Sequence, residues 1–346
     1  MADGIRDYTL RLLSELEARE GWDVHLALRA LGGGWEDPPG APPTRAMPSS
    51  VRRADAVLLQ YNPFSFGRRG FAPRLLVELT RLRLTRHRPL VAVVVHETFV
   101  DMKNWRWALM GAWQRLQLRA VRALSEVQLC ATDAWLRRVG GAEVHHVPVG
   151  SNFPDRREHR DEERRRLGVS DDTLVLACFG LRDPGRMGAL VMHSAEAVAR
   201  AGRRVLVLNL GSGPDDEIEG SARVHTPGFL DDDSVARLLS TVDVFLAPYE
   251  DGVSTRRTTV MAALQHELAV VGTDGPFTDG ILRDAGHALR LVPPERFAYA
   301  VAELAASTED RRTLGLRGRE LYESHFAWPV IADRVLEILA RARARS

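Results

Sequence analysis

Short apolar runs alternate with stretches of helical period along the whole chain. In the first half the runs are WDVHLALRA, ADAVLLQY, LVAVVVHE, VQLCAT and VHHVPVG. In the second half they are LVLACFG, RVLVLNLG, ARVHTPG, VDVFLAP and LAVVGT. Most are continuously apolar, the pattern of strands buried on both faces of a parallel sheet. Between them lie amphipathic helices such as RLLSELEAR and SVARLLSTV. This alternation predicts an α/β protein of two doubly wound, Rossmann-like domains. The mixed-charge stretch VGSNFPDRREHRDEERRRLG, residues 149–168, marks the break between them. The predicted layout is an N-terminal domain over 1–150, a second domain over 151–326 and a terminal helix over 327–346. In that helix Ile331, Val335, Ile338 and Leu339 share one face, which predicts a docked helix. The stretch LGGGWEDPPGAPPTRAMPSS reads as a flexible loop.

Composition narrows the function classes. The 346 residues carry 47 basic and 46 acidic side chains, a net charge of +1, which gives no sign of a general nucleic-acid or membrane surface. No apolar run reaches the roughly 20 residues of a membrane helix, so only a peripheral membrane contact remains open. The start, MADGIRDYTLRLL, is polar at once and does not read as a signal peptide. Cys130 and Cys178 each lie inside an apolar run and read as buried thiols, not as a disulfide or metal pair, which fits a reducing cytoplasm. The basic residues of 149–168 alternate with carboxylates and read as a solvated helix face, not a phosphate site.

One junction carries candidate chemistry. The stretch EDGVSTRRTT, 250–259, sits between the strand VDVFLAP and the helical run VMAAL. Ligands of open α/β sheets sit outside the carboxyl ends of the strands, and free N–H groups at a helix start favour an anion. Gly252 allows close backbone approach, Ser254 and Thr255 supply hydroxyls, and Arg256 and Arg257 supply forked, charge-assisted donors. A second loop, FGLRDPGRMG, also follows a buried strand and carries Arg182 and Arg186. Two basic loops at strand ends of one sheet are able to converge on a single diphosphate.

In order along the chain, several stretches resemble the family 4 retaining glycosyltransferases, which have the GT-B fold. They are HHVPVGSNFP, LGVSDDTLVLACFGLRDPGRMGALVMHSAEAV, VLVLNLGSGPD, TPGFLDDDSVARLLSTVDVFLAPYEDGVSTRRTTVMAALQHELAVVGTD and FAWPVIADRVLEIL. In the first half DGIRDYTLRLLSELEAREGWDVHLAL, ADAVLLQYNP and VAVVVHET match as well. The resemblance implies two Rossmann-like domains facing across a cleft and transfer of a sugar from a nucleotide diphosphate donor to an unidentified acceptor. It implies retention of configuration and basic residues in place of a metal, with no cofactor. Arg182 and Arg186 match the pair that neutralises the leaving diphosphate, and His96 matches a histidine that contacts the sugar. Gly4 matches the loop that approaches phosphate and acceptor. Phe229 and Leu230 match the nucleobase-contacting turn, and Asp251, Gly252, Val253, Ser254, Thr255, Arg256 and Arg257 match the donor loop. The chain departs from the family where a second glutamate holds the ribose: Thr259, Ala262 and Ala263 occupy that region. The ribose contact is therefore unassigned. A non-catalytic GT-B partner protein and a nucleotide-sugar epimerase are the alternatives.

Other motifs carry less. The LDDDSV stretch contains an Asp-x-Asp but precedes an amphipathic helix, where Asp231 reads as a cap. His96-Glu97 lacks the second histidine of a zinc motif, and His145 and His146 alternate along a strand. Trp105, Trp107 and Trp113 read equally as an acceptor platform or as helix core. Only Met1 and Ala2 precede Asp3 and the glycine loop, so the first, central strand of the family's sheet is missing from this chain. The expectation is a gap beside WDVHLALRA and LVAVVVHE and a natural start further upstream; the alternative is that the neighbouring strands pair directly and leave a smaller sheet.

Overall fold

The apolar runs become parallel strands in two separate sheets of a computed structural model. It describes residues 4–29, 35–36, 39, 44, 47–100, 104–211 and 223–345. The chain divides into two compact units, residues 1–148 with 331–346, and residues 149–330.

In the first unit β1 (Leu28–Arg29) and β2 (Trp35–Glu36) form a small antiparallel pair. β3 (Ala56–Tyr61), β4 (Leu90–Val95), β5 (Val127–Cys130) and β6 (Val144–His146) form a four-stranded parallel sheet in the order β3-β4-β5-β6. WDVHLALRA is not a strand of this sheet. Trp22, Asp23 and His25 are exposed, and a strand covered on both faces has no place for Asp23 and His25. The expected gap beside LVAVVVHE is not there either. β4 pairs with β5 on one side and with β3 on the other, in unbroken register from Ala56↔Leu90 to Tyr61↔Val95. Gly4 is the first residue of the helix Gly4–Glu17, which buries Tyr8, Leu12 and Leu16 at a spacing of one helical turn. The terminal helix, Trp328–Arg343, buries Ile331, Val335, Ile338 and Leu339, the face the sequence predicts. Arg19 to Asp333 at 2.7 Å and Arg343 to Asp55 at 2.8 Å tie it to the rest of its unit.

The second unit contains β7 (Thr173–Phe179), β8 (Arg204–Leu210), β9 (Arg223–His225), β10 (Val244–Ala247), β11 (Ala269–Thr273) and β12 (Arg290–Val292). They form a six-stranded sheet in the order β12-β11-β10-β7-β8-β9, every pair parallel. Leu176, Val207, Leu246 and Val271 pack against Val191 and Val198 of the helix Gly188–Arg200 and against Phe297 and Val301 of the helix Phe297–Ala306.

The mixed-charge run is more than a solvated face. In the helix Arg160–Arg166, Arg164 is buried and donates to the carbonyls of Thr241 (3.0 Å), Ser170 (3.0 Å) and Thr173 (2.8 Å) and to Asp243 Oδ2 (3.3 Å). Asp243 Oδ2 also accepts from Val175 N at 2.8 Å, and Arg160 reaches Asp243 Oδ1 at 2.5 Å. These bonds clamp the segments that lead into β7 and β10, so the carboxyl ends of both strands share one edge of the sheet. Among the described residues no helix is long and apolar enough to cross a membrane.

Candidate functional site

β7 and β10 are neighbours and parallel, so the loops that leave them emerge side by side. Backbone bonds join the two loops directly. Met187 N donates to Pro248 O at 2.8 Å, and Glu250 N donates to Gly185 O at 3.0 Å. Arg186 and Tyr249 form an isolated antiparallel bridge. Gly180 and Gly185 take left-handed φ of 60° and 81°, which lets the first loop reverse twice within a few residues.

The bridge gathers the cations. Tyr249 is buried, and the guanidiniums of Arg186 and Arg257 each lie 4.1 Å from its ring centre. An aromatic face attracts a cation and leaves the guanidinium edge available to bond elsewhere. Tyr249 Oη meets Thr259 Oγ1 at 3.2 Å. Asp251 takes Arg256 at 2.9 Å and Arg257 at 3.1 Å. Two guanidiniums therefore share one carboxylate, and the third, Arg186, lies against the same ring as Arg257. Arg186 Nη1 and Arg257 Nε are buried with no hydrogen-bond partner among the described residues. Burial lowers the Arg257 pKa, and the neighbouring charges of Arg256 and Arg186 push it the same way, against Tyr249 and Asp251. Arginine stays protonated through such a shift. Below the loop, burial pushes the Cys178 thiol up to about 12, opposed by the Arg186 charge. Arg182, on the same loop as Arg186, has an exposed side chain.

The donor loop is held from beneath. Gly252 has φ of 90°, and a Cβ there would meet Gly275 N at 2.6 Å. Its close approach is to this neighbouring loop of the protein. Phe277 N donates to Asp251 O at 2.8 Å, and Val253 N donates to Thr273 O at 3.0 Å. Val253 is fully buried. Thr255 donates from both its amide (2.6 Å) and its hydroxyl (2.7 Å) to Asp279 Oδ2, so its hydroxyl works inside the fold. Ser254 is also fully buried, and its Oγ has no hydrogen-bond partner among the described residues. The helix Thr258–Gln265 then starts directly after Arg257.

Phe229 is 82% exposed, an extreme for a phenylalanine, and Leu230 beside it is half-exposed. Both precede the helix Asp232–Ser240, where Asp231 accepts from Ser234 N at 2.7 Å as the predicted cap. In the first unit, His96 follows β4. Its Nε2 meets Gln60 Oε1 at 2.7 Å, its carbonyl accepts from Trp135 Nε1 at 3.2 Å, and its ring meets Tyr8 edge-on at 5.1 Å. Burial pushes the Tyr8 phenol well above its ordinary range. Gly4 is exposed, with open space where a Cβ would be.

Sequence reasoning found the arginines and missed their holders. Tyr249, Asp279, Gly275 and Thr278 each act through a contact made only in three dimensions. The one available signal was the aromatic beside the charged loop in APYEDGVSTRR.

No family model matches the chain. The whole chain superposes on sucrose-phosphate synthase from Thermosynechococcus elongatus with a TM-score of 0.67, covering 100% of this chain and 95% of that one at 17% identity. WaaG, a glycosyltransferase involved in lipopolysaccharide biosynthesis, superposes with a TM-score of 0.60 over 98% of this chain and 96% of its own at 14% identity. The fold is GT-B. In sequence the chain is 21% identical over 254 residues to a GDP-mannose-dependent monoacylated alpha-(1-6)-phosphatidylinositol monomannoside mannosyltransferase of Corynebacterium glutamicum. That match covers 67% of this chain and 66% of the relative, just under two thirds of the relative's length. The paired loops after β7 and β10 bring Arg182, Arg186, Arg256 and Arg257 to two neighbouring strand ends.

Proposed function

We propose that this chain is a glycosyltransferase that moves a sugar from a nucleotide diphosphate donor to an acceptor hydroxyl, with retention and without a metal ion. The observation that carries the reading is the half-buried arginine cluster at the carboxyl ends of adjacent strands, in which buried N–H groups of Arg186 and Arg257 have no hydrogen-bond partner among the described residues. A buried unpaired donor costs about 1–3 kcal/mol, so a fold keeps one where a ligand completes it. In the reaction the bond from the anomeric carbon to the diphosphate oxygen breaks, and its electron pair leaves with the diphosphate. The acceptor oxygen forms the new bond on the same face and passes its proton to the departing diphosphate oxygen. Negative charge grows on the diphosphate in the transition state, where fixed cations act most strongly. Arg186 and Arg257 supply those cations from the face of Tyr249, Arg256 adds a third through Asp251, and Arg182 extends the positive field outward. Phe229 offers a flat surface to the base, and His96 keeps the sugar-contacting role that the family resemblance implies.

The test is a thermal-shift panel of nucleoside diphosphates, followed by transfer assays with the matching sugar donors. GDP and GDP-mannose go first, given the name of the corynebacterial relative. The reading expects stabilisation by at least one diphosphate, a product whose new linkage keeps the donor's anomeric configuration, and full activity in a chelator. Silence across the panel, a donor sugar altered but not transferred, or activity lost to chelation and restored by manganese would each overturn it.

A further inference from the structure

The helix Trp105–Ala123 is amphipathic in the wrong sense for a soluble protein. Its buried positions include Gly111, Gln114 and Gln117, with Leu118 and Val121. Its exposed positions include Trp105 at 68%, Leu109 at 66% and Leu116 at 57%. The residues 105, 109, 112, 116, 119 and 123 are all exposed and recur at alternating steps of four and three, so they form one continuous stripe along the helix. Trp107 flanks it.

The inner polar face has a structural explanation. Gln117 accepts from Ala72 N at 2.8 Å and donates to Tyr61 Oη at 3.0 Å. Gln114 accepts from Val100 N at 2.9 Å and donates to Arg69 O at 3.2 Å. The glutamines clamp the segment 67–72 against the helix, and that segment carries exposed Arg68, Arg69 and Phe71. Phe71 meets Trp113 of the helix at 4.5 Å between ring centres. The outer apolar face has no such explanation among the described residues.

Charge identifies what covers it. The helix carries Arg106, Arg115, Arg119 and Arg122, and no Asp or Glu occurs from residue 104 to 125 or from 62 to 77. Arg115 lies over the Phe99 ring and Arg122 bonds to the Val139 carbonyl, while Arg106 and Arg119 are exposed. A second copy of this face would set arginine against arginine, with no carboxylate in these stretches to pair across the seam. A negatively charged bilayer satisfies both halves of the pattern. Trp and Leu enter the boundary between headgroups and acyl chains, and the arginines meet lipid phosphates. We infer that the face formed by Trp105, Leu109, Leu116 and Phe71, with Arg106, Arg119, Arg68 and Arg69, docks on an anionic membrane surface.

The experiment is flotation of the full chain with vesicles of phosphatidylcholine alone or mixed with phosphatidylglycerol. Binding is expected only to the mixed vesicles, and raised salt should weaken it. Acyl chains brominated near the headgroup should quench tryptophan fluorescence in the wild-type chain, a readout independent of any variant. Leu109→Ser combined with Leu116→Ser, and separately Arg106→Glu combined with Arg119→Glu, should each weaken binding by about tenfold or more. Circular dichroism checks that these exposed-site variants remain folded. Equal binding to neutral vesicles, no binding at low salt, or no quenching by the brominated lipid would overturn the inference. So would a concentration-dependent dimer that the leucine variant dissolves, since a second copy would then be the occupant.

Discussion

Arg164 and Arg257 both belong to the second unit, and they are used in opposite ways. Arg164 spends both Nη groups on three carbonyls and the Asp243 carboxylate. Arg257 lies over the Tyr249 ring, shares Asp251 with Arg256, and keeps a buried Nε without a partner among the described residues. A saturated arginine is a clamp. An arginine held by its face, with donors left over at its edge, is a receptor. The distinction is invisible in residue type and appears when the acceptors are assigned one by one.

The largest expected effect breaks the clamp. Arg164→Met should cost roughly 3 kcal/mol or more of folding stability, because it strips a buried charge partner and three carbonyl bonds at once. Chemical denaturation measures this, and turnover of the molecules that remain folded should barely move. A loss of turnover without a loss of stability would erase the distinction between the two arginines.

The next series breaks the receptor. Arg257→Ala or Arg186→Ala should lower kcat/KM by about 2 kcal/mol of transition-state stabilisation or more, while stability changes by less than about 1 kcal/mol. Tyr249→Phe should keep most of the activity, since the ring face remains. Tyr249→Leu should lose part of what the arginines contribute, because two cation–ring contacts worth about 0.5–2 kcal/mol each disappear. Equal activity in the Phe and Leu variants would show that the ring does not position the guanidiniums.

The smallest effect concerns a buried base with one satisfied nitrogen. His266 is buried, and its ring Nδ1 lies 2.8 Å from the Ala262 carbonyl, while its Nε2 has no partner among the described residues. Burial holds its pKa below the ordinary 6.5, with Arg157 and Arg319 adding to the shift and the Ala262 carbonyl and Asp155 opposing it. The unfolded chain thus binds a proton that the folded chain refuses. Stability from this group is complete above pH 6.5 and falls as the pH drops below it, by at most about 1.4 kcal/mol per pH unit. Denaturation of wild type and His266→Leu at neutral and mildly acidic pH should show a shallower slope in the variant. Identical slopes would mean that the fold does not lower the His266 pKa.

Most of the strand–helix order was legible because buried parallel strands must be continuously apolar, and VFLA, AVVGT and LVAVVV have no other stable use. WDVHLALRA misled because its apolar residues alternate with Asp23 and His25, a half-exposed pattern. The run REHRDEERRR looked like a solvated face because sequence cannot show which arginine of a series points inward, and Arg164 does. Arg186, Arg256 and Arg257 were legible from their place after apolar runs. Tyr249 and Asp279 were not, since an aromatic platform and a buried carboxylate anchor look like ordinary core and turn residues. The helix Trp105–Ala123 was the hardest case. Its tryptophans read equally as core or platform until the glutamines were found on the inside.

The contact between Gly252 and Gly275 reaches beyond the fold to the history of the sequence. A Cβ on Gly252 would run into Gly275 N at 2.6 Å, and a Cβ on Gly275 would run into the Asp251 carbonyl carbon at 2.7 Å and Gly252 N at 2.8 Å. Thr278 Oγ1 stands nearer still to a Cβ on Gly252, but the Gly275 backbone would block that Cβ even with Thr278 trimmed. Mutations arrive singly, and each first step here displaces the loop that carries Asp251 and the arginines. A side chain at either position therefore requires the loop to be rebuilt around it.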